Sequence, residues 1–251
     1  MCGMNYASVY AVFSLFFANF QKVVTSFTNG LTFKFGQMFH TDFERFKREF
    51  SLYETVYYTL LFAAYTILTA FLMPVIRLYT SGIADAAIYD NTVALLLFAA
   101  VTALTGTEAP MLQQLYVAGK FDDTRNQAIW EMAINITVSI IATWRFGLIG
   151  CLIGTVAALL YRNNALIIYT ARRILDRSCL QLYKKIAVNL ALGAGIIMLL
   201  GTDSCEATSY LHVILTVIPN ALWIAAVFIA VNVLINLREC IAFVRAHRRR
   251  A

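Results

Sequence analysis

Charge is scarce in this chain: Asp, Glu, Lys and Arg make up 14% of its 251 residues, against about 25% in soluble domains. So few charges cannot clothe a globule in polar groups, which excludes an ordinary water-soluble fold. Proline is rarer, with three residues, and the 12 glycines follow no period, so collagen-like and low-complexity chains are excluded as well. Cys2, Cys151, Cys179, Cys205 and Cys240 lie far apart with no C-x-x-C spacing, which points to neither a disulfide framework nor a zinc site. His40, His212 and His247 are equally scattered, and no nucleophile motif or Walker loop occurs. The expectation is a chain that is not an enzyme, with no catalytic residue, metal or cofactor. No Lys or Arg precedes Lys22, so the basic opening of a secretory signal is missing.

What the sequence has in abundance is apolar side chains, 60% of the total, with a mean hydropathy of +0.69. A hydrocarbon core about 30 Å thick takes about 20 mostly apolar helical residues to cross. Seven stretches meet or approach that length, at about 8–30, 55–79, 92–117, 127–146, 148–170, 185–201 and 210–236. The connections between them are short. The expected fold class is therefore all-α, a polytopic membrane helix bundle of about seven transmembrane helices forming a single transmembrane domain.

The cations orient it. Lys34, Arg45, Lys47 and Arg48 follow the first span, and Lys120 and Arg125 follow the third. Arg162, Arg172, Arg173, Arg177, Lys184 and Lys185 gather at the end of the fifth, and Arg238, Arg245, Arg248, Arg249 and Arg250 occupy a basic tail at 237–251. The alternate connections hold Asp85 and Asp90, then Arg145, then Asp203 and Glu206. Cationic loops stay inside, so the tail is expected to be cytoplasmic. The net charge of +6 is thereby assigned to orientation and to contact with anionic membrane lipids, and no nucleic-acid partner is expected.

Polar residues within spans are the candidates for function, because an ionised group at mid-membrane costs about 2.5–3.5 kcal/mol and needs a partner or a wet cavity. Asn19, Lys22, Ser26 and Asn29 recur at offsets of three and four on one helical face, with Gln21, Thr25 and Thr28 beside it. That face reads either as the wall of a cationic aqueous cavity or as polar packing beside a Lys22 that snorkels to headgroups. In the third span Gly106 and Pro110 interrupt helical regularity beside Glu108. The carbonyls released there call for partners inside the bundle. Glu108 is either a proton or cation site or a counter-charge. Glu131, Asn135 and Ser139 form a second stripe, suited to helix–helix hydrogen bonding or to substrate contact. Gly147, Gly150, Gly154 and Ala158 form a ridge of small residues for close helix approach, and Arg162 is either a phosphate contact or a snorkelling anchor.

Together these segments resemble a known family. Ala109-Pro110-Met111-Leu112 through Val117-Ala118-Gly119-Lys120-Phe121 and Thr124-Arg125 are followed by Glu131, Asn135 and Ser139. Then come Phe146-Gly147-Leu148-Ile149-Gly150, Ile153-Gly154-Thr155 and Tyr161-Arg162. This stretch is similar to the later part of a Wzx-type oligosaccharide flippase, a polysaccharide-biosynthesis protein of the MATE-like multidrug/oligosaccharidyl-lipid/polysaccharide exporter superfamily. Val9-Tyr10-Ala11-Val12-Phe13, Phe35-Gly36, and Arg77-Leu78-Tyr79-Thr80 with Gly82 fit the same pattern.

Members of that family have roughly twelve to fourteen spans in two lobes, so the resemblance implies a C-terminal half: most of one lobe plus two extra C-terminal helices. Seven spans that end inside also begin outside, and this separately suggests an odd number of missing spans. An ordinary N-out protein is the alternative. The implied function is export of undecaprenyl-pyrophosphate-linked oligosaccharide across a bacterial plasma membrane, with a missing N-terminal half or polysaccharide polymerase machinery as partner. A diphosphate needs cationic donors, which singles out Lys22 and Arg162, flanked by Asn19, Ser26 and Asn135, with Lys120 and Arg125 recruiting the headgroup at the inner mouth. Glu108 and Glu131 are the candidates for ion coupling. A non-transporting membrane scaffold and, more remotely, a seven-span receptor are the alternatives.

Overall fold

The computed structural model describes residues 4–83, 86–202 and 209–236. All regular structure among them is helical: α1 Met4–Asn29, α2 Thr32–Thr41, α3 Phe43–Thr80, α4 Thr92–Val117, α5 Arg125–Phe146, α6 Leu148–Tyr169, α7 Cys179–Leu200 and α8 Tyr210–Ile235, with short 3-10 turns before α4 and α5. The basic tail expected at 237–251 lies outside the described residues, as do Asp85, Asp203, Glu206, Cys2, Cys205 and Cys240.

Six of the helices are long and apolar enough to cross a membrane: α1, α3, α4, α6, α7 and α8. The chain is a multi-pass, membrane-embedded protein. The expected span at 127–146 does form a helix of full length, α5, but Gln127, Glu131 and Asn135 keep its apolarity below that of the other six.

Local chemistry sets the helix starts. Asp42 accepts the Arg45 amide at 3.0 Å before α3, and Asn91 accepts the Ala94 amide at 2.9 Å before α4. Pro74, Pro110 and Pro219, the three prolines of the chain, all fall inside helices, where a membrane bundle tolerates them if the freed carbonyls find partners. At α4 the partner is visible. Pro110 has no amide to offer the Gly106 carbonyl, and the Tyr57 hydroxyl of α3 donates to that carbonyl at 2.8 Å, while Tyr58 donates to the Thr107 carbonyl at 3.2 Å. Tyr57→Phe should therefore lower stability by about 1–2 kcal/mol, read as an earlier transition in denaturing-detergent titration of the purified protein. An unchanged midpoint would mean that another group satisfies Gly106.

The connection after the first span, expected to be a charged loop, is helical. It comprises α2 and the first third of α3, whose Phe35, Met38, Phe46 and Phe50 are buried against one another with Phe39, Phe43 and Tyr53 around them. At 38 residues α3 is about 57 Å long, nearly twice the hydrocarbon thickness. Its Glu44–Glu49 turn, with Arg45, Lys47 and Arg48, thus sits beyond the apolar span.

The helices form a row with α3 at its centre. On one side α7 and α8 pack on α3; on the other α4 packs on it, then α6, then α5, with α1 laid against α4. Phe13 and Phe17 of α1 stack on Phe98 of α4 at 5.5 and 6.0 Å. The α5–α6 contact is the most intimate. Gly147 turns the chain between them at φ 57°, a conformation that favours glycine. A Cβ at Gly154 would meet the Ser139 backbone within 2.7 Å, so the small-residue ridge read from the sequence does seat a neighbouring helix.

Candidate functional site

Two polar networks lie inside the bundle, both toward the end where the basic connections gather. The first is built on α3. Glu54 is fully buried, and its carboxylate meets Arg177 Nη2 at 2.5 Å, Gln114 Nε2 at 3.0 Å and Lys185 Nζ at 3.8 Å. Lys185 Nζ also donates to the Ser51 carbonyl at 2.7 Å and to Ser51 Oγ at 2.8 Å. One residue thereby ties α3 to the end of α4, to the α6–α7 connection and to the first turns of α7. Farther along α7, Asn189 and the Asn232 of α8 exchange amide hydrogen bonds at 3.1 and 2.8 Å.

The second network joins α4, α5 and α6. Arg162 is 5% exposed. Its Nη1 donates to the Thr124 carbonyl at 3.1 Å, and its Nε lies 3.6 Å from Glu131 Oε2. The next residue, Asn163, donates to the Leu104 carbonyl at 3.1 Å and to Glu108 Oε1 at 3.3 Å. Two carboxyl groups and one guanidinium thus share the α4–α5–α6 interior, an arrangement able to hold a proton or a small cation as a second positive charge.

These positions sort the residues singled out from the sequence. Arg162, Glu131 and Glu108 come together. Asn135 lies at the α5–α6 seam, accepting Ser139 Oγ at 3.0 Å, while Ser139 Oγ also approaches the Cys151 carbonyl at 3.4 Å. Lys120, between α4 and α5, and Arg125, the first residue of α5, are exposed at the basic end.

Asn19, Lys22 and Ser26 occupy a different setting, the exposed face of α1. Asn19 Nδ2 donates to the Leu15 carbonyl at 2.8 Å, Ser26 Oγ to the Lys22 carbonyl at 2.7 Å, and Lys22 Nζ lies 3.4 Å from Asn19 Oδ1. The side chains of Thr25, Thr28 and Asn29 lie outside the described residues. Of the expected diphosphate pair, Arg162 is buried and held by Thr124 and Glu131, whereas Lys22 is exposed on α1. Spacing along single helices showed each stripe, but whether α1 and α6 face each other depends on α4, which takes both.

The Glu54 network is not apparent from spacing along single helices. In the sequence Arg177 and Lys185 read as loop cations that orient the chain, which masks their use as partners of a buried acid. A signal was present: Glu54 is the sole ionisable acid or base between Glu49 and Arg77 apart from tyrosines, and a lone acid entering an apolar helix needs a counter-charge.

At the same end, an open cleft of about 540 Å³ is lined by Gln127 of α5 and by Ala165, Ile168, Tyr169, Arg172 and Arg173 on α6 and its continuation. There the helix widens into a π turn, Thr170–Ile174. No protein-family model, curated protein or solved structure matches the chain.

Proposed function

We propose that the chain is a membrane translocator for an anionic lipid-linked oligosaccharide, of the undecaprenyl-pyrophosphate type, working in a bacterial plasma membrane with its C-terminus inside and with a second helical lobe opposite it. The observation that supports this reading is the exposed stripe Asn19, Lys22 and Ser26 along a helix of membrane-spanning length. Lipid tails offer such a stripe nothing, so it suits a water-filled passage or the facing wall of a second lobe. In this reading Lys22 contacts the diphosphate, Lys120 and Arg125 attract the headgroup at the basic end, and Glu108, Glu131 and Arg162 hold the coupling ion. Arg162 takes part in substrate binding only if the diphosphate displaces Glu131. The motif resemblance to oligosaccharide flippases supplies the cargo class, and polysaccharide polymerase machinery is the consumer of what is delivered.

The test is a proteoliposome assay with a fluorescent polyprenyl-pyrophosphate oligosaccharide, in which a membrane-impermeant quencher reports the leaflet. The chain is assayed alone and with an N-terminal flippase lobe. Expected is transfer above protein-free vesicles in at least one arm, reduced about tenfold by Lys22→Ala, the loss of one charge-assisted contact. Background transfer in both arms would overturn the proposal in favour of a non-transporting scaffold.

A further inference from the structure

The cleft between α5 and the π turn shares no lining residue with the Glu54 and Arg162 networks. Its two walls differ in chemistry. Ala165 and Ile168 make the part on α6 itself; Arg172 and Arg173 make the part on the π turn at the end of the same Leu148–Ile174 apolar stretch. On a regular α-helix adjacent residues diverge by about 100°. Here the Leu175 amide reaches back five residues to the Thr170 carbonyl at 3.0 Å, and this wider turn narrows the step so that both arginines border the same cleft. Both are exposed.

The remaining polar groups ask for the opposite kind of partner. Gln127 Oε1 is buried and has no hydrogen-bond partner among the described residues. The Tyr169 hydroxyl gives its proton to Asp123, so it presents lone pairs to anything else that approaches. A ligand satisfying the whole cleft accepts from two guanidinium groups, donates to an amide oxygen and a phenol oxygen, and carries an apolar extension along Ala165 and Ile168.

We propose that this cleft seats the headgroup of a membrane glycerophospholipid carrying one phosphodiester charge and free hydroxyls, a phosphatidylglycerol-type lipid. The diester oxygens meet Arg172 and Arg173, a glycerol hydroxyl donates to Gln127, and the acyl chain follows Ile168. Choline headgroups lack the donor. Ethanolamine has one, but its ammonium would sit among guanidinium groups. Inorganic phosphate has the charge and lacks the apolar tail.

Native mass spectrometry of the purified chain, titrated with short-chain lipids in detergent, tests this directly. Phosphatidylglycerol is expected to bind about tenfold more tightly than phosphatidylcholine and more tightly than phosphatidylmethanol, which keeps the diester and lacks the hydroxyls. Arg172→Gln with Arg173→Gln should reduce phosphatidylglycerol to the phosphatidylcholine level, and Gln127→Leu should erase only its advantage over phosphatidylmethanol. Both arginines are exposed, and unchanged helical circular dichroism will confirm that the double variant folds. Equal binding of phosphatidylglycerol by the wild type and the double variant would overturn the site. Equal binding of phosphatidylmethanol by the wild type would overturn the hydroxyl assignment. Full displacement of the lipid by inorganic phosphate at an equal concentration would overturn the lipid as its source.

Discussion

Replacing Glu54 by alanine is expected to destabilise the protein by about 3–5 kcal/mol, because it leaves the part-buried Arg177 and the buried Lys185 without their shared carboxylate. The side chains of these three residues are 0%, 12% and 5% exposed, so water cannot take over the lost role. Glu54→Gln should do somewhat less damage, because its amide oxygen can still accept from Gln114 or Arg177. Removing all three charges together, as leucine or methionine, should recover most of the stability, since apolar replacement of a buried ion cluster is often neutral. Thermal unfolding in detergent measures each step. If Glu54→Ala melts as the wild type does, the cluster is hydrated in the membrane and the three charges do not hold α3, α4 and α7 together.

Arg162→Ala should have an effect of similar size, about 3–5 kcal/mol, for the complementary reason. It strips the only cation from a set containing Glu131 and Glu108 and leaves the Thr124 carbonyl without its donor. Arg162→Lys keeps the charge but loses the fork that reaches Thr124 and Glu131 together, so a partial loss is expected. The sign of the electrostatic part is checked by pairing: Arg162→Ala combined with Glu131→Gln should be more stable than Arg162→Ala alone. A double variant no better than the single would show that Arg162 acts through packing. If the transport reading holds, Arg162→Lys should also change the ion dependence of transfer more than its rate, since Lys22 is left in place.

Much of this architecture was written plainly in the chain. The span expected at 92–117 is α4 to the residue at both ends, because Asn91 is a strong N-cap and Gly119 follows the last turn. The break at Gly147 between 127–146 and 148–170 was equally clear. The structure differs from the expectation at 31–54. Phe35, Phe39, Phe43, Phe46, Phe50 and Tyr53 recur every three or four residues, a helical period in full view, yet the intervening Lys34, Arg45, Lys47 and Arg48 gave the segment the composition of a loop. The charges hold the solvent side of helices whose aromatic side is buried.

The site was legible only one helix at a time. Glu108, Glu131 and Arg162 stand out because each interrupts an apolar run; Arg162 pairs with Glu131, and Glu108 accepts from the adjacent Asn163. Their neighbour Asn163 gave no comparable signal, being one of two consecutive asparagines after Arg162; only the fold shows which of them turns inward to Glu108 and which, Asn164, accepts the Tyr183 hydroxyl. The neighbours of Lys22 are hidden from the sequence for a similar reason. Facing is a property of three helices, α1, α4 and α6, and no pattern on one of them encodes it.

The α5–α6 pair has a consequence for how the protein is made. These two helices are joined by a single glycine, α5 contacts chiefly α6, and the Glu131–Arg162 ion pair lies within the pair. An acid and a base entering lipid on separate helices would each meet the insertion penalty of about 2.5–3.5 kcal/mol. Carried in as one hairpin, they can neutralise each other on leaving the translocation channel, before α7 and α8 have been synthesised. The ion pair would then act first as a passport into the bilayer for α5, which is less apolar than the six helices long and apolar enough to cross it, and only afterwards as part of the finished interior.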